Sequence, residues 1–278
     1  MISIITPVYN GDRFMEACIN VVIDQACADI EHIIVDGGSS DRTVDIIQQY
    51  AAQYPHIRWL SEPDQGQSDA MNKGIALAQG DIIAILNVDD YYEPNTLNQV
   101  CQFFLSLPQP SLLVGNCNIW DDNGSLQFVN RPKKLRFIDL LLGPDANPFP
   151  LNPAAYFYHK SLHAQIGLYS LSEHYTMDVD FLLRATQIAH VQYVDLTWGN
   201  YRQIAGTKTI NDIETGQSSQ RIDRLMRHYR QELPLPQRWA VAVGYTVYKQ
   251  LDWQRFQYFL DQPQQIVPVF EKKIKQLW

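Results

Sequence analysis

The sequence is short of cysteine and of basic residues, and both shortages exclude classes of protein. Four cysteines occur among 278 residues without a CxxC pair, so we interpret them as reduced, mostly buried thiols of a cytosolic protein. Lys and Arg number 22 against 30 Asp and Glu, which gives a net charge of -8. Because nucleic-acid phosphates require a basic face, this charge argues against a nucleic-acid partner.

Long apolar runs are also missing. The longest candidate, residues 239–248, has ten residues and includes a glycine, whereas a membrane-spanning helix needs about 18 to 20 apolar residues. The first residues, MISIITPVYN, have neither a basic segment nor a cleavage signal and are typical of a strand. We therefore expect a chain that begins and stays in the cytosol.

The chain has ample material for a core, and its charge is unevenly spread. Hydrophobic residues make up 46% and charged residues 19%, a balance typical of globular proteins. Residues 1–220 carry a net charge of -13, whereas residues 221–278 carry +5. We expect the basic end to pack on the acidic body or to contact an anionic membrane surface. The second alternative rests on Arg221, Arg224, Arg227 and Arg230.

The first half of the chain alternates between apolar, β-branched runs and helical patterns. The runs predict strands at residues 3–8, 30–36, 57–61, 81–86 and 112–116. Amphipathic spacing predicts helices at 13–25, 43–53, 68–78 and 95–105. Strands buried on both faces and separated by helices predict an α/β fold with a parallel sheet. In such sheets the ligand crevice lies beyond the carboxyl ends of the strands.

From about residue 110 the pattern changes. The sequence Asp122-Asn123-Gly124 predicts a hairpin turn, and strands are predicted near 155–158, 191–196 and 200–204, with a helix at 178–188. Beyond Gly216 the pattern is helical, with helices predicted at 217–231, at 237–260 and from residue 264. We therefore divide the chain into three parts, residues 1–110, 111–215 and 216–278.

Two adjacent carboxylates, Asp89 and Asp90, follow the fourth predicted strand. Two like charges about 4 Å apart repel by roughly 4 kcal/mol at an effective dielectric constant near 20, and a divalent cation removes that repulsion. Hard oxygen ligands favour Mg2+ or Mn2+. The alternative is that the pair caps the following helix, whose first turn contains Glu93 and Pro94.

Tyr9 and Asp36 end the first and second predicted strands. Two glycines and two serines follow Asp36 and allow the backbone to approach a ligand closely. The Asp36 carboxylate could accept a hydrogen bond from the imide N–H of uracil, and the Tyr9 ring could stack on a base. A tight turn and an ordinary strand-end tyrosine are the simpler alternatives. The glycine spacing is not GxGxxG, so a nicotinamide cofactor is disfavoured.

Further acidic residues lie at predicted helix starts. Asp69 and Lys73 have the spacing of a helix ion pair, but they could also form a polar wall beside a ribose and a diphosphate. Asp178 and Asp180 begin another helix, with Arg184 one turn further on. The helix dipole favours carboxylates there, and a carboxylate in this place could act as general base for a sugar hydroxyl.

Five segments in register resemble one known family. They read SIITPVYNG, IIVDGGSSDRT, EPDQGQSDAMNKGIALAQGD, IAILNVDDYY and TMDVDFLLR, and they cover about residues 1 to 205. Their order and spacing resemble glycosyltransferase family 2, the inverting enzymes of the GT-A fold that use nucleotide-sugar donors. The resemblance implies a mostly parallel nucleotide-binding sheet flanked by helices (1–110). It also implies a smaller mixed acceptor-side sheet that carries the catalytic base (111–215). The helical pattern beyond Gly216 predicts a helical C-terminal extension (216–278).

The resemblance also implies roles at matching positions. The nucleotide-binding residues are then Thr6, Pro7, Tyr9, Asp36, Asp69 and Asp89. Asp89 and Asp90 match a DXD-type motif, in which the first is expected to contact the ribose and the second to bind a Mg2+ or Mn2+ ion. Asp178 matches the catalytic base, which leaves Asp180 as a helix residue. The segment 201–209 resembles a flexible loop near the diphosphate. We expect these acidic side chains to converge at a single mouth.

The implied activity is an inverting hexosyl transfer to a hydroxyl of a saccharide or lipid-linked acceptor, in bacterial cell-surface polysaccharide synthesis. Uracil and thymine present the same imide donor, so UDP and dTDP remain open, with GDP less favoured. A sugar-nucleotide nucleotidyltransferase or a non-catalytic nucleotide-sugar-binding protein is the alternative. The loop YNGDRF, with its single glycine, argues against the nucleotidyltransferase, which would be expected to carry a Gly-rich basic loop there.

Two departures from the family pattern narrow the resemblance. The sequence has no QxxRW motif and no apolar membrane span, so a processive cellulose- or hyaluronan-type synthase is not expected. Relatives often carry His-Gln in the acceptor-side loop, where this chain has Asn152 and Pro153. The resemblance does not extend beyond Gly216.

Overall fold

The computed structural model describes residues 1–250 except 145 and 174, and these residues follow the predicted α/β alternation. The strands are β1 (Ile2–Val8), β2 (Ile30–Asp36), β3 (Ile57–Ser61), β4 (Ile82–Ile85), β5 (Tyr91–Tyr92), β6 (Ser111–Trp120), β7 (Leu126–Asn130), β8 (Tyr156–His159) and β9 (His190–Arg202). The helices are α1 (Asp12–Ile23), α2 (Thr43–Ala51), α3 (Gln67–Leu77), α4 (Thr96–Phe104), α5 (Phe137–Leu140), α6 (Leu162–Ile166), α7 (Met177–Ala185), α8 (Lys208–Glu214), α9 (Gln217–Glu232) and α10 (Leu235–Gln250). A short 3-10 helix spans Pro153–Ala155.

The described strands form one mixed sheet in the order β3-β2-β1-β4-β8-β6-β9-β5, with β7 paired to β6. The first four strands in that order are parallel. Strand β8 is antiparallel to both β4 and β6, whereas β9 is parallel to β6 and β5 is antiparallel to β9. The predicted α/β fold is thereby confirmed. The acceptor-side strands do not form a separate sheet but extend the parallel strands into one mixed sheet.

Alternating side chains of the parallel strands supply two cores, one on each face of the sheet. All seven residues of β1 are buried; Ile4 packs with α1, α2 and α4, whereas Ile5 packs with α3, α7 and α9. Each helix contributes apolar residues at spacings of three and four, as α1 does with Met15, Cys18, Ile19 and Val22. Both faces are therefore covered, as a parallel sheet requires.

The two strands predicted for residues 191–204 are one continuous strand, β9, so that prediction was wrong. The glycine at position 199 lies inside this strand because the strand passes close to the backbone of Ala154 there, and a side chain would not fit. A Cβ on Gly199 would lie 2.8 Å from the Ala154 carbonyl carbon. Strand β9 continues through Gly199 because β6 pairs with it along almost its whole length. The register of this pairing is irregular near Asn116.

The described part of the basic end, residues 221–250, packs on the body through α9 and α10. Leu225, Met226 and Tyr229 of α9 and Val241 of α10 join the core that also contains α7. Helix α9 matches the helix predicted at 217–231, and α10 covers the described part of the helix predicted at 237–260. The helix predicted from residue 264 lies outside the described residues.

Candidate active site

A cavity of about 670 Å3 opens at the carboxyl ends of the parallel strands. It is lined by Pro7, Val8, Tyr9, Asp64, Gly66, Gln67, Ala70, Asn87, Val88, Asp89, Tyr175, Tyr201, Thr207 and Thr209. The first ten come from the end of β1, from the loops after β1, β3 and β4 and from the first turn of α3. The last four come from the acceptor-side part of the chain and form the opposite wall. The crevice thus lies where a parallel sheet of this kind places it.

The loop after β2 folds around the carboxylate of Asp36. That carboxylate accepts hydrogen bonds from the backbone N–H groups of Gly38 (3.1 Å) and Ser39 (3.0 Å) and from the hydroxyls of Ser39 and Ser61 (2.7 Å). Asp36 is fully buried. A carboxylate has about four lone-pair sites, and the four protein donors occupy those of Asp36. In this structure the Asp36 carboxylate holds the turn that follows β2, and its hydrogen bond to a uracil N–H stays a prediction.

Pro7 and Tyr9 line the cavity, whereas the side chain of Thr6 does not. The Tyr9 side chain is 65% exposed, which leaves its ring accessible from the cavity. Thr6 is buried, and its hydroxyl is 2.9 Å from Nε2 of His32. The loop carrying Tyr9 is fastened to the next loop, since the Asn10 amide oxygen accepts the Ser40 N–H at 2.9 Å.

Asp90 lies behind the wall that Asp89 forms. Asp90 is 1% exposed, and its Oδ2 accepts hydrogen bonds from the side-chain amides of Asn87 (2.8 Å) and Asn152 (2.7 Å). Its Oδ1 has no hydrogen-bond partner in the described part of the chain. Burial, and then the charge of Asp89, raise the pKa of Asp90 to about 8. The buried, unpartnered oxygen is thus held in one orientation by two amides.

Asp89 faces the cavity with a basic neighbour. Burial raises the pKa of Asp89, and the charge of Arg202 opposes that rise. The Arg202 Nε donates to the backbone oxygen of Asp89 at 2.6 Å, and its guanidinium lies 5.6 Å from the centre of the Tyr91 ring. Arg202 therefore fixes the loop that carries both aspartates from the far end of β9.

The two aspartates suit a hard divalent cation bound together with a phosphate ligand. Within residues 1–250 without 145 and 174, no group of three or more His, Cys, Asp or Glu side chains is arranged to hold a metal ion. Mg2+ in nucleotide sites is commonly held by one or two carboxylates plus the phosphates of the substrate. Asp90 Oδ1 supplies an oxygen that nothing else in the described structure satisfies, so the residues present fit such an ion.

Asp69 does not line the cavity. Its carboxylate accepts the Gln65 N–H at 3.1 Å and pairs with Lys73 at 3.3 Å, which is the helix ion pair weighed from the sequence. The neighbouring Gln67 does line the cavity, and its amide donates to Asn87 at 2.9 Å. Asp69 thereby holds the first turn of α3, and Gln67 presents its side chain to the cavity.

Asp178 lies in the first turn of α7, beside the cavity but outside its lining. The preceding residue, Met177, receives the Ser68 hydroxyl at 2.8 Å, which places the start of α7 against the start of α3. Burial, and to a smaller extent the charge of Asp178, raise the pKa of Tyr156 and Tyr158. Of the four aspartates, only Asp89 lines the cavity. Asp178 is adjacent to it, and Asp36 and Asp90 are buried, so the convergence of these side chains at one mouth stays a prediction.

The sequence model of the family described as glycosyl transferase family 2 matches residues 3–163, more than half of the chain. The PGL/p-HBAD biosynthesis glycosyltransferase of Mycobacterium bovis is 31% identical over 226 residues, which span 77% of this chain and 82% of the relative. The chain belongs to glycosyltransferase family 2.

Solved structures show the same fold at low sequence identity. S. aureus TarS 1-349 in complex with UDP-GlcNAc aligns with a TM-score of 0.59 at 17% identity, over 89% of this chain and 81% of that one. The chain spans 43% of a longer TarS chain. The mannosyltransferase PcManGT from Pyrobaculum calidifontis, in complex with GDP-Man and Mn2+, aligns with a TM-score of 0.64 at 16% identity, over 89% and 69%. These likenesses support the GT-A assignment of the fold.

Sequence reasoning missed part of this glycosyltransferase site. Tyr175 was not singled out, and Tyr201, Thr207 and Thr209 were placed only as part of a loop, yet the four side chains form one wall of the cavity. Asn152 was noted only as a departure from the family, although it contacts Asp90 directly. The NPAA sequence carries a usable signal, since Asn before Pro predicts the start of a helical turn, and Asn152 Oδ1 accepts the Ala154 N–H.

The four arginines of α9 do not share one exposed face. Arg221 pairs with Asp212 at 3.2 Å, and the Nε of Arg230 donates to the Leu141 carbonyl at 2.9 Å. Only Arg224 and Arg227 of the four are exposed. The predicted row of arginines is therefore divided between the body and the solvent. In the described part of the chain, no helix combines the length and apolar character needed to cross a membrane.

Proposed function

We propose that this family 2 glycosyltransferase moves a hexosyl group from a UDP- or dTDP-sugar to a hydroxyl of a saccharide or lipid-linked acceptor, with inversion. One observation carries the proposal. The cavity has one wall from the strand-end loops, with Tyr9 and Asp89, and a second wall from the acceptor-side half, with the first turn of α7 against its edge. A nucleotide and a second substrate could therefore meet between the two walls.

The donor is proposed to bind along the strand-end loops. The exposed Tyr9 ring stacks on the base beside Pro7, the turn held by Asp36 borders the base, and Asp89 accepts hydrogen bonds from the ribose hydroxyls. Thr6 and Asp69 support these loops from behind through His32 and Lys73. The bound structures of TarS with UDP-GlcNAc and of PcManGT with GDP-Man support nucleotide-sugar donors as the substrate class.

The proposed cation is Mg2+ or Mn2+, held by Asp90 and the donor diphosphate. When bound, such an ion acts as a Lewis acid that stabilises the charge of the departing diphosphate. The chain's own contribution is to hold the Asp90 carboxylate by the two amides of Asn87 and Asn152, so that Oδ1 keeps one direction. The PcManGT complex contains Mn2+, which supports this choice of metal.

Asp178 is the proposed general base. Its carboxylate accepts the proton of the acceptor hydroxyl while that oxygen bonds to the anomeric carbon and the bond from this carbon to the diphosphate oxygen breaks. A single displacement of this kind inverts the anomeric centre. A general base contributes about 10^2 to 10^4-fold in rate. The position at the start of a helix favours the ionised carboxylate that this step requires.

The decisive experiment is a donor screen with the full chain. UDP-, dTDP- and GDP-sugars are tested for thermal stabilisation with Mn2+ and with a chelator, and the stabilising donor is then incubated with sugar acceptors. Metal-dependent transfer, with the opposite anomeric configuration in the product, is expected. The control is Asp90→Asn, which keeps the shape of the side chain and should lose the metal-dependent part of binding. Donor binding without transfer or hydrolysis would favour a non-catalytic binding protein, and formation of a sugar nucleotide from a sugar phosphate would favour the nucleotidyltransferase.

We place the reaction in the cytosol and in bacterial cell-surface polysaccharide synthesis, with peripheral contact to anionic lipid as an accessory property. All four cysteines are free thiols, and the sulfurs of Cys27 and Cys101 are 3.9 Å apart. Membrane contact would rest on the exposed Arg224 and Arg227. Sedimentation with anionic vesicles at low salt tests it, and equal partitioning with neutral vesicles would contradict it.

A further inference from the structure

The wall formed by Tyr175, Tyr201, Thr207 and Thr209 lies outside the segment that the family model matches, which ends at residue 163. Helix α9, at the basic end of the chain, reaches this wall. The guanidinium carbon of Arg221 lies 4.2 Å from the centre of the Tyr175 ring, and Tyr175 lines the cavity. Arg221, a residue of the C-terminal extension, therefore contacts a side chain that lines the cavity.

Arg221 also contacts the second segment of the wall. Its Nε donates to Asp212 Oδ1 at 3.2 Å, and the Asp212 side chain is only 5% exposed. Asp212 lies in α8, which begins at residue 208, within the stretch where Thr207 and Thr209 line the cavity. One guanidinium thus joins the loop before α7 to helix α8, and both segments contribute residues to the lining of the cavity.

Helix α9 offers a fixed support for this contact. Its far end is held by Tyr229, whose hydroxyl donates to Asp180 Oδ1 at 2.7 Å, and by Arg230, which donates to the Leu141 carbonyl. Leu225 and Met226 are buried in the core that contains α7. The helix cannot shift without breaking these contacts, so Arg221 is presented to Tyr175 and Asp212 from a rigid base.

We propose that Arg221 is a positioning residue of the transferase site, which holds Tyr175 and the 207–212 segment together as one wall of the donor cavity. This inference rests on the proposed function insofar as it concerns donor binding. The planar guanidinium is suited to both contacts at once, because it can lie flat on an aromatic ring while its edge donates to a carboxylate. A lysine could keep the ion pair but would lose the stacked geometry.

The test compares Arg221→Gln with Arg224→Gln, which removes the same charge one turn along α9. Arg224 is exposed and, among the residues described, makes no ion pair or ring contact. Hydrogen exchange followed by mass spectrometry is measured on peptides covering 170–178 and 200–212, and donor KM and kcat are measured on the same proteins. We expect about tenfold faster exchange in both peptides and an about tenfold higher KM in Arg221→Gln, with kcat retained. Arg224→Gln should match the wild type in each measurement.

Two further variants separate positioning from a general effect on folding. Arg221→Lys should give intermediate exchange and KM, and Arg221→Gln combined with Tyr175→Leu should raise KM no more than either change alone, because the two residues act as one unit. Exchange in Arg221→Gln that equals Arg224→Gln, or that accelerates evenly over the whole chain, would overturn the inference. If the wild type transfers no sugar from any donor, the proposed function fails, while the two peptides still decide whether Arg221 holds the wall.

Discussion

The two walls of the cavity are held in different ways. In the strand-end wall, neighbouring loops of the sheet bond to each other, as Asn10 does with Ser40 and Gln67 does with Asn87. In the acceptor-side wall, the loops are held by helices outside the sheet, through Arg221 on Tyr175 and Tyr229 on Asp180. The first wall is thus a consequence of the sheet topology, whereas the second depends on individual side chains of the C-terminal helices.

This difference suggests a division of labour that mutation can break. If the strand-end wall binds the nucleotide and the first turn of α7 supplies the base, then a conservative change at the base should leave nucleotide binding intact. The largest expected effect is at the proposed base. Asp178→Asn preserves the shape of the side chain but cannot accept the proton, so kcat should fall about 10^2 to 10^4-fold.

The matching measurement for Asp178→Asn is calorimetric titration with the nucleotide that stabilises the wild type. The dissociation constant should stay within about twofold, because Asp178 does not line the cavity. Asp180→Asn is the control, since it lies on the same helix and pairs with Arg184 and Tyr229 instead of facing the site. Unchanged turnover in Asp178→Asn would remove the base assignment and, with it, the proposed division between the walls.

The strand-end wall has a buried support that should respond to pH. Burial, and then the charge of His56, lower the pKa of His32 to about 3, whereas an unfolded histidine titrates near 6.5. The unfolded state therefore binds more protons between these values, and the free energy of unfolding falls as pH decreases below about 6.5. The contribution of His32 is up to about 1.4 kcal/mol per pH unit, lost progressively toward pH 3.

Urea unfolding of His32→Gln between pH 7 and pH 5 checks this dependence. Its slope against pH should be shallower than that of the wild type, because the proton taken up by the unfolded His32 no longer contributes. The window above pH 5 avoids Glu31, whose pKa is lowered and whose contribution is lost only at more acidic pH. Equal slopes for His32→Gln and the wild type would show that this support is not what makes the strand-end wall sensitive to acid.

The strand-end wall was also the part that the sequence predicted well. Apolar β-branched runs separated by amphipathic helices identified β1 to β4, and the parallel topology then placed Tyr9 and Asp89 at one edge of the sheet. The pattern could not predict whether a carboxylate at a strand end faces the cavity or is buried and bonded by other side chains. Asp36 and Asp90 were expected at the mouth of the site, but both are buried. Ser61 donates to Asp36, and Asn87 and Asn152 donate to Asp90.

The acceptor-side wall was harder to predict because its contacts join residues without a shared pattern. Arg221 and Tyr175 lie 46 residues apart in the sequence, and no sequence pattern links the two. The row of four arginines even suggested a single face, yet packing divides it between Asp212, Leu141 and the solvent. Periodicity identified α9 as a helix, but which of its arginines turn inward is decided by the groups that they meet.

Asn152 is the place where the two walls are not independent. It belongs to the acceptor-side half but donates to Asp90 of the strand-end half, so Asn152→Ala should leave Asp90 with a single amide donor. Loss of a residue that orients a metal ligand typically lowers metal affinity about 10- to 100-fold. Titration of Mn2+ in the presence of the bound nucleotide, followed by electron paramagnetic resonance, measures that loss directly.

The control for Asn152→Ala is Asn116→Ala. Asn116 is a buried asparagine of the same sheet, but its partners are Tyr193 and Asp195. It should lose stability without any change in Mn2+ affinity. Equal Mn2+ affinity in Asn152→Ala and the wild type would mean that Asn87 alone orients Asp90. The acceptor-side half would then make no contribution to metal binding through Asn152.

The smallest expected effect concerns how the acceptor-side wall is held from outside the sheet. Tyr229→Phe keeps the buried ring but removes the hydroxyl that donates to Asp180 Oδ1 at 2.7 Å, while Arg184 still pairs with Oδ2. A hydrogen bond to a charged group is worth about 1.5–3 kcal/mol when buried, and the remaining ion pair should limit the loss to about 1–2 kcal/mol. Urea unfolding measures this loss.

A matched tyrosine in the other half sharpens the comparison. The Tyr50 hydroxyl donates to Glu16 at 2.9 Å at the surface, so Tyr50→Phe should change the free energy of unfolding by less than about 0.5 kcal/mol. Because α9 stays packed through Leu225 and Met226, Tyr229→Phe should also leave nucleotide affinity unchanged. If both tyrosine variants lost the same stability, the hydroxyl of Tyr229 would be no more than a surface contact. The link from α9 to α7 would then depend on apolar packing alone.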